Sequence, residues 1–134
     1  MPFNTMFTYQ KKDKLKSRKQ TQYLFSKGQS VNAFPIKLIY TVDKVPLSEA
    51  SLQAGVTAPS RIFRKAVQRN RVKRLLREGY RLEKPGFIAE TPLQDKRVNL
   101  FFLYIDSVLL PQHVIQEKIK IALGKLKEKI NEAP

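Results

Sequence analysis

The sequence predicts a single domain that mixes helices and strands in the order helix, strands, helix, strand, helix. A chain of 134 residues with 42% hydrophobic content is long enough to bury one core. Residues 64–83 and 111–130 have the apolar period of amphipathic helices. Residues 34–42 alternate as strands do, residues 52–58 are a second strand candidate, and residues 98–105 form the most apolar strand.

The N-terminal part is predicted to hold one short helix and one further strand. Residues 1–12 are expected to be a loosely ordered lead-in, although their aromatic side chains could instead dock on the domain. Ser17 fits the N-cap of a helix with Gln20 at its third position, and Gly28 ends that helix after about residue 27. Residues 29–33 are a candidate short strand.

The second half is predicted to contain an exposed insertion and a final helix. Pro85 and Gly86 are expected to stop the helix at 64–83, which leaves residues 85–97 as an insertion. One face of the strand at 98–105 should carry the helices, while the other is either a second binding surface or covered by the lead-in. Pro111 can open the last helix, whose apolar stripe is Ile115, Ile119, Ala122, Leu123, Leu126 and Ile130.

The charge balance predicts a polyanionic partner. The chain has 26 Lys and Arg against 11 Asp and Glu, a formal net charge of +15 and a pI of about 10.2. A small domain with this charge repels itself, so a negatively charged ligand is expected to offset the repulsion. No apolar run could span a bilayer and no signal-type segment opens the chain, so a cytoplasmic protein without a membrane partner is expected.

A catalytic or metal site made by the protein alone is not predicted. There is no cysteine, which excludes disulfides and thiolate metal sites. A solvated or capping role is favoured over catalysis for His113, the single histidine, which lies in the first turn of a helix. The carboxylates are scattered, and no Gly-rich loop or His/Asp cluster suggests a nucleotide or metal site.

Residues 61–81 carry the strongest functional signal, because they contain nine basic residues and one acid, Glu78. At about 100° per residue, one side of the helix is apolar and consists of Val72, Leu75, Leu76, Gly79 and Leu82. The opposite side holds Asn70, Lys73, Arg74, Arg77 and Arg81, with Arg69 and Arg71 at the borders. A merely solvated helix interleaves both signs, so nucleic-acid contact is favoured. Charge alone does not distinguish RNA from DNA.

Residues 66–77, AVQRNRVKRLLR, resemble the signature of the bacterial ribonuclease P protein subunit. In that family the run Ala-Val-x-Arg-Asn-Arg-apolar-Lys-Arg is followed by an apolar pair and a basic residue. Residues 55–57 followed by Arg61 are similar to the family's strand and basic turn, and residues 15–28 are similar to its first helix. The central motif is the highly specific part of this similarity.

The resemblance implies a compact α+β fold of order αβββαβα, with a mixed sheet and a left-handed βαβ crossover. It implies that the basic helix binds a catalytic RNA, and that a cleft between the first helix and the sheet receives the 5′ leader of precursor tRNA. The RNA, with bound magnesium, would cleave the leader. The protein alone would hold no cofactor and need no obligate protein partner.

The resemblance also assigns roles to particular residues. The expected RNA contacts are Arg61, Lys65, Arg69, Asn70, Arg71, Lys73, Arg74 and Arg77. Phe25 and Tyr40 are candidates for stacking in the leader cleft, with packing in the core as the alternative for both. The chain departs from the family at Thr21, where many members have Phe. Two rival functions are a ribosomal-type RNA-binding protein and a nuclease that acts without RNA.

Overall fold

The computed structural model describes residue 24 and residues 26–132. Leu24, Ser26 and Lys27 are helical, close to the end of the first predicted helix. The rest of that helix and the lead-in at residues 1–12 lie outside the described residues. The elements that follow are β1 (Gln29–Ala33), β2 (Ile36–Lys44), a 3₁₀ turn (Leu47–Glu49), β3 (Ser51–Thr57), α1 (Ala66–Glu90), β4 (Lys96–Tyr104) and α2 (Gln112–Glu132).

The strands form one mixed sheet in the order β1-β2-β4-β3. The pairs β1–β2 and β2–β4 are antiparallel, whereas β3 and β4 are parallel and α1 connects them. The mixed sheet and the α+β class are therefore confirmed. The left-handedness of the β3–α1–β4 crossover stays a prediction from the resemblance.

The hairpin between β1 and β2 corrects the predicted strand at residues 34–42. Phe34 and Pro35 form the turn, and β2 begins only at Ile36. The side chain of Phe34 is 62% exposed, so it does not continue the inward-facing row of β2. Pro35 has no N–H to give to a strand ladder, which suits it to a turn position.

Both helices pack on one face of the sheet. Leu38 on β2 and Leu100, Phe102 and Tyr104 on β4 are fully buried there. The rings of Tyr80 on α1 and Phe102 lie 5.5 Å apart. The predicted stripe of α2 is confirmed, because all six of its residues are buried: Ile115, Ile119, Ala122, Leu123, Leu126 and Ile130.

The hydroxyl of Tyr104 fixes the connection between β4 and α2. It donates a hydrogen bond to the carbonyl of Val108 at 2.7 Å and accepts one from the backbone N–H of Leu110 at 2.9 Å. Burial raises the pKa of Tyr104 above its usual value. One buried side chain thus aligns the start of α2 with the end of the sheet.

Helix α1 continues past the predicted stop at Pro85 and Gly86, so that prediction is wrong. The helix runs to Glu90, Pro85 lies inside it, and the connection to β4 spans only residues 91–95. Proline inside a helix costs about 3 kcal/mol, but Phe87, two residues after Pro85, is buried against the core. The hydroxyl of Thr91 donates to the carbonyl of Phe87 at 2.5 Å and closes the helix end. Residues 85–97 are therefore no insertion.

Candidate nucleic-acid interface

One side of α1 packs into the core of the domain. Val72 and Leu76 are fully buried, as the periodicity predicts, and Gly79 is buried against α2. A Cβ atom at Gly79 would lie 2.6 Å from Cδ1 of Ile119 and 3.4 Å from Cα of Gln116, so a larger residue there would force the buried side chain of Ile119 to shift. The prediction that Leu82 lies on this side is wrong, because Leu82 is 39% exposed.

Tyr80 takes the inward position that was expected of Leu82. It follows Leu76 by four residues and is 1% exposed. Residues four apart share a helix face, so this spacing was the available signal. The inward position of Tyr80 was not predicted, because Tyr80 stands next to Arg81 in a strongly basic run.

The opposite side of α1 presents polar and positive groups outward. Asn70, Arg71, Arg74 and Arg77 are all exposed and line one shallow depression together with Val67. Val67 is 80% exposed, an unusual position for an aliphatic side chain between cations. Lys73 is half-buried on the flank of this face. We call Asn70, Arg71, Arg74 and Arg77 the outer face.

The charges of the outer face are not offset within the described part of the chain. None of Arg71, Lys73, Arg74 and Arg77 pairs there with a carboxylate. Ion pairs elsewhere include Arg81–Glu78, Lys96–Asp95, Arg97–Glu49 and Lys127–Glu90. Guanidinium groups suit bidentate contact with phosphate. An external anion would relieve the mutual repulsion of these cations.

Arg81 is the exception in the predicted cationic stripe. Its guanidinium donates to both carboxylate oxygens of Glu78, at 3.1 and 2.5 Å, and both side chains are about one-third exposed. The hydrogen bond from Arg81 lowers the pKa of Glu78. The positive potential of this surface is therefore lower at the helical turn that contains this pair.

The turn before α1 adds a second group of cations, Arg61, Arg64 and Lys65, all of which are exposed. The backbone N–H groups of Ile62 and Phe63 donate to the carbonyl of Pro59 at 3.1 and 2.9 Å. We call residues 59–65 the basic turn. No acid lies in the first turn of α1, so the positive end of the helix dipole adds to this potential.

Arg69 is directed differently from the other predicted contacts. Its Nη1 donates to the carbonyls of Phe63 and Arg64, at 2.9 and 2.7 Å. The side chain is half-buried rather than at the border of the outer face. Sequence periodicity gives the direction of a side chain but not the position of a free carbonyl, so this contact had no signal in the sequence.

Only one of the two leader-cleft candidates belongs to the described structure. Phe25 lies outside the described residues. Tyr40 is 5% exposed and belongs to the core on the helix-bearing face. Its hydroxyl donates to Oε1 of Gln29 at 3.1 Å, and burial, with a smaller contribution from Glu132, raises its pKa. The enclosed ring favours packing for Tyr40, and its leader contact stays a prediction.

The described residues hold no group of three or more His, Cys, Asp or Glu side chains that could bind a metal ion. His113 is exposed at the start of α2. Among the described helices, none is long and apolar enough to cross a membrane.

The fold is that of an α+β domain with a cationic helix face, and comparisons with known proteins identify its family. The family model described as Ribonuclease P matches residues 9–101. The chain is 33% identical over 122 residues to the ribonuclease P protein component of Porphyromonas gingivalis, which covers 90% of this chain and 87% of that protein. A second relative, from Chlorobaculum tepidum, is 35% identical over 88 residues and 56% of its length.

Solved structures agree with this fold. The ribonuclease P protein of Staphylococcus aureus superposes with a TM-score of 0.65 at 17% identity, covering 86% of this chain and 95% of that one. The protein from Thermotoga maritima gives 0.61 at 19% identity, covering 87% and 96%. The chain belongs to the ribonuclease P protein family, and its function is that of the protein component of ribonuclease P, in the processing of tRNA.

Proposed function

We propose that the outer face and the basic turn bind the catalytic RNA of ribonuclease P. The observation that carries this proposal is the set of exposed cations on α1 that no described carboxylate offsets. The apolar side of the same helix is buried, so the face is held rigidly by the core. Rigid presentation lowers the entropy lost when several side chains engage phosphates at once.

The residues contribute in different ways. Arg71, Arg74 and Arg77 offer planar guanidinium forks to phosphate oxygens, whereas Lys73 offers a point charge from the flank. Asn70 can both donate and accept hydrogen bonds, which fits a sugar or base edge. Val67 can pack on an apolar ribose or base surface between these polar contacts. The combination is suited to folded RNA better than to a small anion.

The chemistry of leader removal is assigned to the RNA in this proposal. The described residues hold no group of three or more His, Cys, Asp or Glu side chains that could bind a metal ion. In this proposal magnesium is bound by the RNA, and no step of the reaction is assigned to a side chain. The protein contributes binding of the catalytic RNA and of precursor tRNA. We place this reaction in the cytoplasm, with no obligate protein partner.

The test is reconstitution with the catalytic RNA of the same organism at low magnesium. Addition of the protein is expected to increase precursor-tRNA cleavage, and the double variant Arg74→Ala/Arg77→Ala is expected to lose most of that increase. Lys44→Ala/Lys120→Ala is the matched control, because it removes the same charge from exposed positions on β2 and α2. A protein that binds RNA but leaves cleavage unchanged would instead support the ribosomal-type alternative. Cleavage by the protein without RNA would support an independent nuclease.

A further inference from the structure

The guanidinium of Arg69 is engaged by the protein itself. Nη1 donates its two hydrogen atoms to two successive carbonyls, those of Phe63 and Arg64, at 2.9 and 2.7 Å. Hydrogen bonds from a charged donor are stronger than neutral ones. A phosphate contact by the same nitrogen would have to displace both of them.

The position of Arg69 on α1 explains this direction. Val72 and Leu76 follow it by three and seven residues and are fully buried, so position 69 shares the inward side of the helix. Arg71 and Arg74 lie on the outer face. The sequence motif places all three arginines close together in the chain, but the helix separates them in space.

The two carbonyls that accept hydrogen bonds from Arg69 belong to the basic turn. One side of this turn is anchored, because Phe63 is 5% exposed and its ring lies 5.8 Å from that of Tyr104. The other side, up to the start of α1, carries the exposed side chains of Arg64 and Lys65. These cations repel one another and the positive end of the helix. A contact that fixes the backbone between them opposes this repulsion.

We propose that Arg69 is a positioning residue that holds the basic turn against α1, so that Arg61, Arg64 and Lys65 meet the RNA in a fixed arrangement. Arg69 acts on RNA affinity through these side chains and is not a phosphate ligand. The effect on RNA rests on the function proposed above. The effect on the turn does not, and can be measured in the free protein.

The first experiment measures amide hydrogen exchange of Ile62 and Phe63 in the protein without RNA. Their N–H groups bond to the carbonyl of Pro59 inside the turn, so they report on its opening. Arg69→Ala is expected to accelerate their exchange by roughly tenfold or more, as expected for the loss of charged hydrogen bonds. Arg71→Ala, which removes the same charge from the outer face, is the control and should leave both rates unchanged. Equal rates in Arg69→Ala and the wild type would overturn the proposal.

The second experiment is a double-mutant cycle on affinity for the catalytic RNA. Arg69→Ala is expected to weaken binding about tenfold in the wild-type background, but less than about twofold when Arg61, Arg64 and Lys65 are already Ala. The same loss in both backgrounds would identify a direct contact and overturn the proposal. Thermal unfolding of every variant ensures that binding is measured on folded protein.

Arg69→Lys supplies a further discrimination. Lysine keeps the positive charge, but its ammonium is one bond nearer to Cα than Nη1 is, so it reaches the two carbonyls poorly. Lys is expected to resemble Ala in both exchange and affinity, whereas full recovery of RNA affinity by Lys would indicate a phosphate contact. If even the wild-type protein does not bind the RNA, the function proposed above fails, and the exchange rates still decide the role of Arg69 in the turn.

Discussion

Replacing Gly86 by alanine tests the course of α1 beyond Pro85, because two interpretations predict opposite signs. Gly86 lies inside the helix without a positive φ, and a Cβ there would meet no heavy atom within 4 Å. Alanine is therefore expected to raise the free energy of unfolding by about 0.5–1 kcal/mol. If the helix instead ended there with Gly86 as a left-handed cap, alanine would cost about 1 kcal/mol.

The assay is thermal and urea unfolding of the full chain. The stabilisation corresponds to a rise in Tm of roughly 2–5 °C for a domain of this size. Gly124→Ala, in α2, is the matched positive control, since a Cβ there also meets nothing within 4 Å. Gly79→Ala is the negative control, because its Cβ would lie 2.6 Å from the buried side chain of Ile119. A fall in Tm for Gly86→Ala, together with a rise for Gly124→Ala, would refute the continuous helix.

Three further predictions follow from contacts seen in the fold. Phe87→Ala should lower the free energy of unfolding by about 3–5 kcal/mol in urea titration, because Phe87 is buried; a loss below about 1 kcal/mol would contradict its place in the core. Tyr104→Phe should lower stability by about 1–3 kcal/mol, since the N–H of Leu110 loses its acceptor; unchanged stability would exclude this anchor. The pKa of Glu78 is lowered by Arg81, so this pair contributes stability above the unfolded-state pKa of roughly 4.3 and loses it as pH falls through the lower folded value. Glu78→Gln should therefore cost up to about 0.5 kcal/mol near neutral pH, given the exposure of the pair, and nothing at pH of about 2; a cost that persists in acid would contradict the electrostatic origin.

The sequence predicted those parts of the fold in which local pattern and packing agree. The six apolar positions of α2 recur at helical spacing, and all are buried. Val72 and Leu76 identified the inner side of α1 for the same reason. Outward-facing cations such as Arg74 and Arg77 followed directly, because residues opposite a buried stripe face solvent.

The end of α1 could not be predicted from local pattern. Pro85 and Gly86 are strong helix breakers by intrinsic propensity, and only the burial of Phe87 against the core shows why the helix continues. The strand order β1-β2-β4-β3 is likewise set by long-range pairing. It was not predicted, since no local signal places β4 between β2 and β3.

The orientations of individual site residues were likewise predictable only where they follow from local pattern. Exposure of Asn70 and Arg71 follows from helical period alone. The engagement of Arg69 depends on carbonyls that precede the helix, and the enclosure of Tyr40 depends on α2 packing over β2. The motif thus predicted a set of RNA contacts, whereas the three-dimensional arrangement separated the side chains of this set that face outward from Arg69, which bonds to the backbone.

The salt dependence of binding to the catalytic RNA tests most directly whether the outer face of α1 contacts phosphates. Each phosphate contact contributes about 0.7 to 0.9 to the slope of log affinity against log salt concentration. Arg74→Ala/Arg77→Ala should therefore reduce the slope by about 1.4–1.8 without lowering Tm, since both side chains are exposed and lack ion pairs in the described chain. Lys44→Ala/Lys120→Ala should leave the slope unchanged. An equal slope for the wild type and the Arg74/Arg77 double variant would show that RNA binds elsewhere.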